Sequence, residues 1–548
     1  MAPDGSFTGG QAARGTRRRV LAVAAAVVLG ILIWFLAGTE PGQRVLAAVD
    51  ALVWVALGCL AGLALVVWVA FFWRARRWIR LACLGLAGAS IAAFFGLFRL
   101  ESFTGSLVPI FVWRWSPRAE DDLQQYLAER EGPFDRFVRQ VTAPVDLAET
   151  TDHDYPGFLG PKRLGVVANV RLSRDWARRP PRELWRHPVG AGWSAFAVVG
   201  QFAVTQEQRG PEESVVCYEL RSGVERWAHG DRACFGGTWM HGVGPRATPT
   251  IHNGRVYTMG ATGLLNCLDG RTGQVVWQQA VLRDPARQNL RWGMAGSPLI
   301  VGNTVVVSPG ANAGRALVAY DLEDGHEVWA AGDDPGAYAS PLLANLGGTD
   351  VILVFNGAGL AFHDAASGKR LALFPWVTQG DDRVNIAQPV VLADYGMAVR
   401  TPQVLITSGY GEGCSLLEIE RSGNLLAPRE LWHSSRLRSK LSNVIVCGGY
   451  AYGLDEGVMV CLDLRDGGRQ WKSGRYGHGQ LILAGDLLLV QCESGAVALV
   501  EPSPEGLREL GRIPALSSKT WNHAALAGNV LVVRSDRMAA AYELPLAE

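Results

Sequence analysis

The chain has 548 residues, a net charge of +1 at pH 7, 65 glycines and 19 tryptophans. It is longer than one hydrophobic core usually organises, so several domains or a repeat array are expected, and the near-neutral balance excludes nucleic acid as an expected partner. The nine cysteines include no adjacent pair and no C-x-x-C, which argues against cysteine-built haem, iron–sulfur and zinc sites.

In chain order, three apolar runs come first, at about 20–37, 51–73 and 78–98, each close to the length a helix needs to cross a bilayer. Basic residues precede the first run (Arg14, Arg17, Arg18, Arg19) and separate the second from the third (Arg74, Arg76, Arg77, Arg80). The first connecting loop sets Arg44 against Glu40 and Asp50. The positive-inside rule then places the N-terminus in the cytoplasm. Three crossings of the cytoplasmic (inner) membrane put the bulk of the chain, after Leu100, in the periplasm. Thr16-Arg17-Arg18-Arg19-Val20-Leu21 has some likeness to a twin-arginine signal, so a cleaved leader is the alternative to a first permanent span. Residues 1–100 thus read as a membrane anchor and 101–152 as a connector. Helical patterns are expected at Glu120–Arg130 and Phe134–Val141, and Trp113-Arg114-Trp115 suits a membrane interface.

From 153 to 548 the chain repeats itself. Cys217-Tyr218-Glu219 with Ser222-Gly223 and Trp227 is followed by Cys267-Leu268-Asp269 with Thr272-Gly273 and Trp277, then Ala319-Tyr320-Asp321 with Asp324-Gly325 and Trp329. Cys461-Leu462-Asp463 with Asp466-Gly467 and Trp471 is a further copy; Phe362-His363-Asp364 with Ser367-Gly368 is a weaker one that reaches Ala372. The pattern predicts a strand ending at the acidic residue, a turn in which glycine takes a positive φ, and a strand whose tryptophan packs between neighbouring sheets. Cysteine at one phase of three copies marks a buried strand position.

A second periodic feature gives the number of units. Ser194, Ala247, Gly296, Ala339, Ala387, Ser442, Gly479 and Asn522 each open a segment leading into an apolar run. Eight such starts, with four strands each, predict an all-β, eight-bladed propeller preceded by three transmembrane helices. Blades five and seven are degenerate, with Trp432 serving one and 507–513 the other. Glu183-Leu184-Trp185-Arg186 looks like a tryptophan strand with no hairpin before it, and Ala539–Leu544 like a hairpin strand with none after it. The two are expected to pair in one blade and lock the ring.

These residues resemble the pyrroloquinoline-quinone-like propeller repeats, a family that includes quinoprotein alcohol dehydrogenases and the propeller lipoprotein of outer-membrane protein assembly. The likeness covers about 154–544, and Asp154-Tyr155-Pro156-Gly157-Phe158-Leu159-Gly160-Pro161 is similar to the D-W-P-x-F-R-G-P lead-in of exported members, departing at Tyr155 and Leu159. The repeat specifies fold more than function. A quinoprotein dehydrogenase of this family implies a vicinal cysteine pair, a calcium site of Glu and Asn, and an Asp base; this chain has no Cys-Cys and a lean repeat region. No catalytic, cofactor or metal residues are therefore assigned. The acidic pairs Asp333-Asp334 and Asp381-Asp382 read as exposed turns, and Gly409-Tyr410-Gly411-Glu412-Gly413 as a hairpin turn.

Candidate contacts gather at the channel mouth. Trp193, Arg246, Tyr338, His478 and Trp521 precede the aligned strand starts in phase, with Trp292, Asn385 and Lys440 close by. Aromatic and basic groups there suit an anionic or planar ligand, or a peptide, set against the alternative that they fill the channel and cap strand ends. The expected function is a noncatalytic interaction scaffold for envelope or periplasmic proteins or peptides, with no cofactor. The alternative is a membrane-bound PQQ-dependent dehydrogenase with quinone and calcium.

Overall fold

The repeat motif folds into a hairpin for local reasons. Asp269 Oδ1 accepts the Thr272 N–H at 3.0 Å and its hydroxyl at 2.9 Å, closing an Asx-type turn. Gly273 takes φ +73°, a left-handed value that glycine reaches without a steric cost, and its N–H returns to the Asp269 carbonyl at 2.8 Å. Across the hairpin Cys267 faces Trp277 while Leu268 faces Val275, so the tryptophan strand carries one extra residue. The same register shift recurs at Cys217 and Trp227, Ala319 and Trp329, and Cys461 and Trp471. It also occurs where the sequence motif has decayed, at Phe362 and Ala372, Leu416 and Trp432, and Leu499 and Gly511.

The computed structural model describes residues 76–130, 144–236, 242–282, 289–310, 314–378, 384–423 and 425–548, in two units, Met1–Gly96 and Leu97–Glu548. A helix runs Arg77–Leu97, all but its last residue in the first unit, 21 residues long and apolar enough to cross a membrane by length and composition. It corresponds to the third expected span. The runs at 20–37 and 51–73 lie outside the described residues, so of three expected membrane helices one is seen, and a multi-pass topology rests on sequence alone.

The second unit contains eight propeller sheets, seven of four strands and one of five. Blade 1 comprises Ala197–Val199, Phe202–Arg209, Glu212–Glu219 and Glu225–Asp231, and the remaining blades follow in chain order. Ring closure is as expected. Met538–Glu543 pairs with Arg182–Pro188 in blade 8, with Ala541 opposite Trp185. The seam to blade 1 is sealed by the buried Arg534, whose guanidinium donates to Thr205 Oγ1 at 2.7 Å, the Gln206 carbonyl at 2.8 Å and the Gly190 carbonyl at 2.8 Å. The fully buried Glu207 beside it accepts from Tyr218 Oη at 2.7 Å, Gly190 N–H at 2.7 Å and Arg209 Nε at 3.1 Å. Burial opposes its charge, yet Arg209 and Arg534 hold this carboxyl below its usual range.

Neighbouring blades interlock through the motif. The Trp227 indole N–H donates to the Gly270 carbonyl of the next blade at 2.9 Å, and its ring lies against Gly273. Trp185 to Leu220, Trp277 to Leu322, Trp432 to Leu464 and Trp471 to Ser503 repeat this bond at 2.7 to 3.0 Å. The motif glycine is thus needed twice, for its φ and for the ring that rests on it. Cys217, Cys267, Cys414, Cys461 and Cys492 are buried, and burial pushes the Cys267 and Cys461 thiols up to about 11. These are core positions.

The stretch before the blades is packed on them. Ala119–Glu129 is helical, buries Leu123, and stacks Tyr126 on His187 at 4.9 Å; the second expected helix, at 134–141, falls outside the described residues. Phe98–Phe103 and Pro109–Trp113 form a two-stranded hairpin.

Candidate functional site

Two segments outside the repeats determine how much of the central channel remains open. On one side the lead-in runs across the ring. Tyr155 exchanges two backbone bonds with Val198 of blade 1, at 2.8 and 2.7 Å. Arg163, buried, donates to the Ser297, Pro298 and Pro341 carbonyls of blades 3 and 4. With no carboxylate in that shell, burial pulls its guanidinium down to about 9. The Arg163 carbonyl accepts Gln388 Nε2 from blade 5, and Val166 pairs in parallel with Leu483 of blade 7. Asp154 holds the start of this strap by accepting the N–H groups of Thr151 and Gly200. The strap spans the ring, and Phe158 projects from it into the channel, edge-on to His523 at 5.0 Å.

Beyond Phe158 is a cavity of 150 Å³ lined by residues from all eight blades. Five of the eight expected mouth residues line it: Trp193, Arg246, Trp292, Tyr338 and Trp521. They form two aromatic pairs, Trp193 with Trp521 at 4.8 Å and Trp292 with Tyr338 at 5.3 Å. Arg246 lies over Phe235 at 4.9 Å and donates to the Gly244 and Gly242 carbonyls. Burial lowers it to about 10.

The other three are placed differently. Asn385 is fully buried and its amide is committed to the Asn356 carbonyl and Ser408 Oγ, a seam between blades 4 and 5. Lys440 and His478 lie under the hairpin turn at Thr104–Val108. Lys440 Nζ donates to the Gly105 carbonyl at 2.9 Å, and His478 Nε2 is 3.1 Å from Ser106 Oγ. Burial pulls His478 down to about 4, so it is neutral at pH 7.

Sequence reasoning missed the residue that joins these groups. Glu493 Oε1 accepts the Gly105 N–H at 2.5 Å and Trp521 Nε1 at 2.7 Å, while Oε2 accepts the His478 N–H at 3.1 Å. It missed Lys519 too, whose ammonium lies 4.2 Å from the Trp521 ring centre and 5.0 Å from that of Trp193 and donates to the Phe103 carbonyl at 3.1 Å. Gln480 Oε1 and His523 Nδ1 are buried beside the cavity with no protein partner. No local pattern marks Glu493 or Lys519, because both are recruited by a turn distant in the chain.

The remaining acidic candidates are structural. Asp334 is buried against Arg370 at 2.6 Å, and Asp333 accepts the Gly314 N–H; Asp381 and Asp382 lie outside the described residues. Gly409–Gly413 joins two paired strands of blade 5. Among the described residues one group has metal-ligand proximity, Asp321, Asp324 and His326, and it forms the blade 3 hairpin turn, where Asp321 accepts the Glu323 N–H at 2.8 Å.

A tricyclic quinone with its cation needs an enclosed site of about 300 Å³ or more. The channel offers half of that volume, and the carboxylate at its rim, Glu493, is already committed to three N–H donors.

The family described as outer membrane protein assembly factor BamB matches residues 211–473, a little under half the chain. No curated protein matches the sequence. Among solved structures, BamB from Moraxella catarrhalis is similar over 67% of this chain and 99% of its own, at 15% identity and a TM-score of 0.45. A quinohemoprotein alcohol dehydrogenase, ADHIIG from Pseudomonas putida HK5, is similar over 74% of this chain and 84% of its own, at 12% identity and a TM-score of 0.51. A europium-containing methanol dehydrogenase is similar over 72% and 99%, at 12% identity and a TM-score of 0.46. At these identities the likeness concerns the fold.

Proposed function

We propose that this chain, a propeller of pyrroloquinoline-quinone-like repeats, is a noncatalytic scaffold of the inner membrane that presents its channel mouth to envelope proteins. The observation that carries the reading is the state of the channel. It is strapped on one side by the lead-in through Arg163 and Phe158, and narrowed on the other to an aromatic and basic pocket of 150 Å³. Such a pocket suits one side chain or a short peptide segment, with aromatic faces and buried cations as anchors. In this reading the apolar runs at 20–37, 51–73 and 78–98 are membrane spans, the N-terminus is cytoplasmic and the propeller periplasmic. The helix Arg77–Leu97 supports the last span.

The test separates the scaffold from a quinoprotein dehydrogenase. Purified full-length protein is mixed with pyrroloquinoline quinone and calcium, then with alcohols and an artificial electron-acceptor dye. The scaffold reading expects neither a quinone absorbance shift nor dye reduction; both together would overturn it.

A further inference from the structure

The turn of the hairpin Phe98–Trp113 is gripped in a way that any suitable peptide turn can reproduce. Its contacts to the mouth are made by its backbone and one hydroxyl. Gly105 N–H donates to Glu493 at 2.5 Å, the Gly105 carbonyl accepts from Lys440 at 2.9 Å, and the Phe103 carbonyl accepts from Lys519 at 3.1 Å. Ser106 Oγ meets His478 Nε2 at 3.1 Å. Gly105 is outside the left-handed region, so its backbone alone does not require glycine. Space does: a Cβ there would overlap the His478 ring. The receptor therefore specifies an apex without a side chain, an N–H facing a carboxylate, and carbonyls facing two ammonium groups.

Gly105 is the hairpin's one buried residue, while Leu100, Val108, Phe111 and Trp113 are exposed. An ion pair, Glu101 with Arg537 at 2.5 Å, lies at its side. A two-stranded hairpin is marginal by itself.

Resting on the scaffold reading of the mouth, we propose that Lys440, His478, Glu493 and Lys519 form a receptor for a glycine-tipped peptide turn, filled in cis by Phe103–Ser106. A partner protein's loop of the same chemistry, Gly followed by Ser or Thr at the apex, displaces the resident turn and joins the aromatic pocket beside it.

The test uses the full chain in detergent and, as probe, a synthetic peptide of residues 98–113. Gly105→Trp excludes the resident turn, so amide exchange across 98–113 rises at least tenfold and the peptide binds saturably. Wild-type protein binds it at least tenfold more weakly, because its site is filled. Adding Glu493→Gln to Gly105→Trp lowers peptide affinity at least tenfold, and a peptide with Trp for Gly fails to bind. If Gly105→Trp does not fold by circular dichroism, Glu493→Gln with Lys440→Ala in the otherwise native chain must itself raise exchange at 98–113. Unchanged exchange, equal peptide binding to wild type and variant, or indifference to Glu493→Gln would overturn the proposal. No envelope protein enters this test, so its failure leaves the scaffold reading standing. Dye reduction with quinone and calcium would sink the scaffold reading while leaving peptide binding intact.

Discussion

Gly273 offers a quantitative test of how the blades interlock. Gly273→Ala places a methyl group at φ +73°, which costs roughly 1 kcal/mol for a residue with a Cβ. That Cβ would lie 2.5 Å from Trp227 Cε3 and 2.8 Å from Cδ2, so the indole must shift. The shift weakens its 2.9 Å bond to the Gly270 carbonyl, worth about 1 kcal/mol, and overpacks the seam by about 1 to 3 kcal/mol. The single substitution is therefore expected to cost about 3 to 5 kcal/mol. Trp227→Ala removes a buried indole and costs about 3 to 5 kcal/mol on its own. With the ring gone, Gly273→Ala retains the φ cost of about 1 kcal/mol. The four proteins of this cycle, compared by urea unfolding with circular dichroism, should show a coupling of roughly 2 to 4 kcal/mol. Equal costs for Gly273→Ala in both backgrounds would refute the claim that the tryptophan of one blade dictates the glycine of the next.

Arg534→Met leaves Glu207 buried with one cation fewer and should destabilise closure by about 3 to 5 kcal/mol, read as a lowered urea midpoint. An unchanged midpoint would mean that the seam does not need the charge. Burial raises the Glu213 carboxyl to about 7, above its unfolded value, so the folded state keeps a proton that the unfolded state has lost between about pH 4.5 and 7. Stability should fall as pH rises through that window by on the order of 3 kcal/mol, and Glu213→Gln should remove this slope relative to wild type. Arg370→Ala strips the partner from the buried Asp334 and should cost about 2 to 3 kcal/mol at pH 7, recovered in part by Asp334→Asn in the same chain.

Blade number, ring closure and the burial of Cys217, Cys267 and Cys461 were legible in the sequence because the hairpin repeats at a fixed phase. The register shift opposite Phe362 and Leu499 survives without tryptophan, since the turn and the strand pairing impose it. The mouth was legible in part. Phase located Trp193, Arg246, Tyr338 and Trp521 at the pocket, with Trp292 close by, whereas His478, in the same phase, sits under the hairpin turn. Asn385, expected close by the same ring, is instead drawn into the blade seam, where its amide oxygen accepts from Ser408 Oγ. Glu493 and Lys519 were not visible, because what recruits them is a turn more than 380 residues earlier in the chain. Phe158 and Arg163 escaped for the same reason: the lead-in was read as a family signature, and only the fold shows it crossing the channel.

The most direct measurement places a photoreactive amino acid at Tyr338, beside the aromatic pocket, in full-length protein within native membranes. Irradiation should yield a discrete adduct with an envelope protein, lost when Arg246→Ala or Trp521→Ala is added while unfolding free energies stay within about 1 kcal/mol of the parent. Absence of that adduct, together with quinone- and calcium-dependent dye reduction by the same preparation, would contradict the account.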